Sequence, residues 1–118
     1  MRTQKLAMRQ LKFTLFLVPF SSFANEPAAN APSRPYYECM KSETEKYSKK
    51  TDQVDDAILA AGASCKEERD KLLGEIIGEL IYTKGMTGNE AEEVAKIAVA
   101  NVDERMRPLL VKAALDSR

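Results

Sequence analysis

An all-α fold is predicted by three features of the sequence. Apolar residues recur at helical rather than alternating spacing, helix start and stop signals bracket those recurrences, and the only two cysteines sit symmetrically about a polar turn. Cys39 and Cys65 have their midpoint at Asp52, just after Ser48-Lys49-Lys50-Thr51. Two helices folded back on each other there bring the sulfurs level, since ten to twelve residues of helix on either side span roughly 15–18 Å. The expected architecture is a small helical domain built on a disulfide-linked antiparallel helical hairpin, with one or two further helices toward the C-terminus.

Residues 1–24 have the order of an export leader. Arg2, Lys5, Arg9 and Lys12 form a basic region without an acid, residues 13–20 form a short apolar run, and Ser22 and Ala24 supply the small residues of a cleavage site. The apolar run is far shorter than the ~20 residues a membrane span needs. No cysteine follows it, so no lipid anchor is expected. The leader carries four of the 18 basic residues and none of the 18 acidic ones, so cleavage after Ala24 leaves 14 against 18, a net charge of −4. That balance argues against nucleic-acid binding, which calls for a basic stripe. Two cysteines in an exported chain predict one disulfide, and the periplasm of a Gram-negative bacterium, or otherwise secretion, is the expected location. Residues 25–35 carry three prolines and no large apolar residue. They are expected to be a disordered tether, followed by a single helical domain over residues 36–118.

The first helix is expected from Pro35 or Tyr36, with Tyr36, Cys39, Met40, Glu43 and Tyr47 at helical spacing. Its apolar stripe is poor, which makes the disulfide important. The second helix opens at Thr51 or Asp52 as N-cap, with Asp55 and Asp56 in its first turn. Val54, Ile58, Ala61, Cys65, Leu72, Ile76 and Leu80 mark one face. The small residues 60–64 let a partner helix approach as a cystine requires. One helix through Gly62, with or without a kink there, is the favoured reading; the alternative ends a helix at Gly62 and caps the next with Ser64 and Glu67. Gly74 and Gly78 predict a groove for close helix packing, because two helix-interior glycines cost about 1 kcal/mol each. Gly85 is the expected left-handed end of this helix. A capping box at Thr87 and Glu90 opens the next, on which Ala91, Val94, Ala95, Ala98, Val102 and Met106 form a stripe broadened by Ile97 and Val99. Pro108 is expected to break or kink it near Arg107, leaving a short last helix that offers Leu109, Leu110 and Ala113 to the core.

The chain has no histidine, which removes the usual base of nucleophilic catalysis and a principal zinc ligand. Phosphate-binding loops, calcium loops and redox C-x-x-C motifs are also absent from the sequence. The pairs Asp55-Asp56, Glu67-Glu68 and Glu92-Glu93 fall on faces expected to be solvated. No catalytic residue, metal or cofactor is therefore expected. Tyr36, Tyr37, Tyr47 and Tyr82 are the aromatic residues outside the leader, and tyrosine suits protein interfaces. Tyr36, Tyr37 and Tyr82 are the candidate partner-binding residues, with space-filling core tyrosines as the alternative. In size, export, helicity and cysteine count the mature chain resembles small periplasmic acid-stress chaperones and small periplasmic immunity proteins. No motif carries that likeness, and no residue role is transferred from it. The functional expectation is protein–protein binding as an inhibitor, immunity or chaperone-type partner, with homo-oligomerisation left open. The alternatives are a carboxylate-based envelope enzyme or accessory subunit and a purely structural envelope protein.

Overall fold

The computed structural model describes residues 26–118, and the expected leader lies outside the described residues. Proline in its first turn starts α1 (Arg34–Ser48), where the missing amide costs nothing. Tyr36, Met40, Thr44 and Ser48 fall four residues apart along its buried face, with Tyr37 beside them. The stripe thus begins aromatic and ends polar. Residues 26–33, placed in the expected tether, form turns closed by Ala31 N–H to the Ala28 carbonyl and Arg34 N–H to the Ala31 carbonyl, both 3.0 Å. Arg34 gathers this segment, donating to Glu26 Oε1 at 3.1 Å and to the Pro27 carbonyl at 2.7 Å while also holding Glu38.

The polar turn lies where the cysteine symmetry places it. Lys50 N–H bonds the Tyr47 carbonyl at 2.9 Å, and Thr51 Oγ1 accepts from Gln53 N–H at 3.1 Å. α2 (Val54–Ser64) follows with Gln53 in the N-cap position and no side-chain cap bond. The expected caps Thr51 and Asp52 are therefore two residues and one residue early, because Thr51 spends its hydroxyl on shaping the turn. Ala57 and Ala61 are wholly buried on α2. Small residues at these points let α1 and α2 lie side by side, and Cys39 and Cys65 are joined with a Cα separation of 5.9 Å. The disulfide-linked helical hairpin is present.

The helix runs through Gly62, as the favoured reading has it, and breaks instead at Cys65, which corrects the expectation of one helix continuing beyond that residue. Cys65 alone leaves helical geometry (φ −105°, ψ 22°) before α3 (Lys66–Lys84), and neither Ser64 nor Glu67 caps it. Backbone bonds run on across the break, from Cys65 N–H to the Ala61 carbonyl and from Arg69 N–H to the Cys65 carbonyl. The physical reason is competing attachment. Cys65 is tied to α1 by a covalent bond, whereas α3 packs chiefly on the last helix, so the direction changes at the tied residue.

Gly85 adopts the left-handed conformation (φ 70°) and donates its N–H to the Ile81 carbonyl at 3.2 Å, ending α3 as expected. α4 (Gly88–Asp116) opens with the expected capping box: Thr87 Oγ1 accepts from Glu90 N–H at 3.2 Å, and Glu90 Oε1 from Thr87 N–H at 3.1 Å. α4 then runs through Pro108 without the expected break. Proline removes one helical donor, leaving the Glu104 carbonyl free, but Glu104, Arg107 and Pro108 face solvent. That face of the helix is open to solvent, while Met106, Leu110, Ala113 and Ala114 hold the opposite side in the core.

The core joins Tyr36, Tyr37 and Met40 of α1 to Ala61, Cys65 and Leu72, and to Val99, Met106 and Leu110 of α4. Leu109, Leu110 and Ala113 reach it as expected. Gly74 and Gly78 do not form the expected close-packing groove, since a Cβ at either position meets no atom within 4 Å. Alanine at both positions is expected to raise the unfolding free energy by about 1–2 kcal/mol in urea titrations. A loss of stability would show that the chain does pack on these two positions.

Candidate functional site

Two regions gather the functional groups, and they lie at opposite ends of α3. At the crosslinked end, Tyr36 Oη donates to Asp103 Oδ1 and Arg69 Nη2 to Asp103 Oδ2, each at 2.6 Å. One carboxylate thereby ties α1, α3 and α4 together beside the cystine. Burial first, and the Asp103 hydrogen bond second, raise the Tyr36 hydroxyl above its ordinary value. The same carboxylate's hydrogen bond is the largest cause raising Arg69. Glu68 stands one turn beyond Cys65, and one of its carboxylate oxygens and the two sulfurs lie within 4.8 Å of one another. Glu68 Oε1 is shielded from solvent and has no hydrogen-bond partner among the described residues. This departs from the expectation that all three acidic pairs are solvated. Asp55 pairs with Arg107, and Glu92 with Lys96 at 3.2 Å, as surface acids do.

The outer half of the α3–α4 hairpin is the second region. Beyond Leu72 no side chain of α3 is buried, and opposite it only Ala91, Ala95 and Val99 of α4 are. Ile77, Leu80 and Ile81 remain partly open. Tyr82 is 90% exposed, Ile97 62% and Val94 40%. Two helices by themselves have only each other to cover, so each keeps an apolar flank facing water.

The candidate residues divide between these regions. Cys39 and Cys65 are bonded, as expected. Tyr36 and Tyr37 are 3% and 2% exposed, and the Arg34 guanidinium lies 5.5 Å from the Tyr37 ring centre. Both rings are spent on the core, which removes them as surface anchors, and only Tyr82 stands in solvent. The residues that sequence reasoning missed are Ile97 and Val94, counted there with the core stripe, and Glu68. A signal for Ile97 was present: it lies on the far side of the helix from the stripe running through Ala91, Ala95, Val99 and Val102.

No family model matches the chain, nor does any curated protein or solved structure compared with it. The geometry alone therefore carries the functional argument.

Reducing the Cys39–Cys65 bond, which closes 26 residues, should cost about 3–4 kcal/mol in the chain-entropy model. For a domain of this size the midpoint of thermal unfolding is then expected to fall by roughly 12–30 °C. A reduced protein melting where the oxidised one does would overturn the importance assigned to the crosslink. The raised Tyr36 hydroxyl gives an alkaline signature. The folded state keeps this proton to higher pH than the unfolded chain does, so its contribution is complete below about pH 10 and is lost as pH rises further. Tyr36→Phe is expected to flatten the fall in stability above that pH, measured by urea titration at successive pH values; an unchanged slope refutes the assignment.

Proposed function

We propose that this chain is a small exported protein of the periplasm that acts by binding another protein, as an inhibitor, immunity or chaperone-type partner. The outer α3–α4 hairpin makes the contact. The observation that carries this reading is the exposure of Tyr82, Val94 and Ile97 on a two-helix arm whose only fully buried side chains are Ala91, Ala95 and Val99. Large exposed apolar side chains are the ones through which interaction sites form, and tyrosine is enriched among interface anchors. Export is supported by the basic, apolar and small-residue order of residues 1–24 and by the disulfide, which persists in oxidising compartments. Among the described residues no helix is long and apolar enough to cross a membrane, so the reading places the helical domain outside the bilayer. Asp55-Asp56 and Glu92-Glu93 are assigned to the surface, and no catalytic role is given to them or to the half-buried Glu68.

The test places a photo-crosslinking amino acid at Tyr82, at Ile97 or, as a control, at Lys50 in the turn at the opposite end, in the full chain expressed with its leader. The mature protein is expected to begin at Asn25. Tyr82 and Ile97 are expected to capture the same partner, under neutral or acidic conditions, and Lys50 none. Absence of arm crosslinks under both conditions, or equal capture from Lys50, overturns the proposed surface. A retained leader overturns export.

A further inference from the structure

The cystine sits in a corner that contains an unsatisfied donor atom. Glu68 follows Cys65 by three residues, so the two side chains share a face of the chain where α3 begins. One carboxylate oxygen of Glu68 and both sulfurs lie within 4.8 Å of one another. Glu68 Oε1 is screened from water and accepts no hydrogen bond among the described residues, an arrangement that costs an acceptor its solvation without return. The cationic side chains nearest in sequence are committed elsewhere, Arg69 to Asp103 and Lys66 to Asp70.

We propose that Cys39, Cys65 and Glu68 form a binding site for a thiophilic divalent cation of the zinc class once the disulfide is reduced. The cation then takes over the clip between α1 and the α2–α3 junction. A dithiol reductant delivers two electrons and two protons to the cystine, becomes a disulfide itself and leaves two thiols. The cation displaces both thiol protons to solvent and binds two thiolates and one Glu68 oxygen. Water from the half-exposed side completes four-coordination, since Cys39 and Glu68 are only partly buried. Two thiolates on one zinc stand about 3.7 Å apart for bonds of about 2.3 Å, so the sulfurs must part modestly from covalent contact. Cys65 is the single non-helical residue between α2 and α3, and it can shift without unwinding either helix. Thiolates select soft or borderline ions over calcium and magnesium. The site is hidden from sequence inspection because a Cys-x-x-Glu spacing with a distant second cysteine is no recognised ligand pattern.

The experiment titrates Co²⁺ and Cd²⁺ into the full mature protein, reduced with a phosphine and freed of excess reductant, beside the oxidised protein. One equivalent is expected to bind the reduced form, with tetrahedral cobalt bands and thiolate-to-cadmium absorption, and to raise its melting temperature. Oxidised protein is expected to show neither. Glu68→Gln, with its fold verified by circular dichroism in the oxidised state, is expected to bind at least about tenfold more weakly, the scale on which even outer-shell partners are felt. Cys39→Ser is expected to lose the bands. Reduced protein without a stoichiometric band overturns the proposal, as does equal binding by the oxidised form. Glu68→Gln binding as tightly as wild type removes Glu68 as a ligand and overturns it too.

Discussion

The crosslink at Cys39 and Cys65 is the constraint on which the other elements depend. The buried stripe of α1 runs from Tyr36, Tyr37 and Met40 into Thr44 and Ser48, so the helix has apolar area to bury over only half its length. Thr44 Oγ1 is buried without a partner among the described residues, which subtracts from what that burial contributes. A helix of this composition is marginal in water by itself. Joining it to the α2–α3 junction removes conformations from the unfolded chain and leaves the weak stripe enough to do. The cost appears one residue along: α2 and α3 cannot continue as one straight helix through a residue held against α1, and the chain turns at Cys65.

α4 is held against this hairpin at two places by polar contacts. Near its middle, Asp103 receives both Tyr36 and Arg69. At its end, the Ser117 and Ser48 hydroxyls meet at 2.7 Å and Arg118 donates to the Thr51 carbonyl at 3.0 Å. The second pair joins the last turn of α4 to the α1–α2 turn, so Ser117 and Arg118 are tied down. These two anchorages also explain why Pro108 is tolerated. The segment between them is fixed by its buried side chains Met106, Leu110, Ala113 and Ala114, and one absent backbone bond on the wet face does not free it to bend away.

What was legible in the sequence follows from how local its cause is. The capping box at Thr87 and Glu90 and the left-handed Gly85 depend on a few neighbouring residues, and both are where the sequence puts them. The disulfide was legible through symmetry about a turn. The break at Cys65, the continuity at Pro108 and the burial of Tyr36 and Tyr37 depend on what packs from elsewhere in the chain. Gly74 and Gly78 show the reverse error: a spacing that suits close packing finds no partner helix among the described residues. Glu68 was assigned to the surface because its neighbour Glu67 belongs there, yet a single helical step of 100° carries it from solvent to the sulfurs.

Stability is therefore distributed unevenly. The large side chains, the covalent bond and the Asp103 contacts gather at one end of α3, while toward Gly85 the interface rests on Ala91 and Ala95 against half-open Ile77, Leu80 and Ile81. Alanine lets two helices approach closely but removes little apolar area from water, at roughly 25 cal/mol per Å². The outer hairpin is thus the part that opens at least cost, and segments of low local stability are the ones that binding can order or reshape. A partner covering Tyr82 and Ile97 would add the apolar contact that the arm lacks on its own. Binding there would stiffen the weakest part of the molecule while the crosslinked end, already rigid, keeps the arm's base in place.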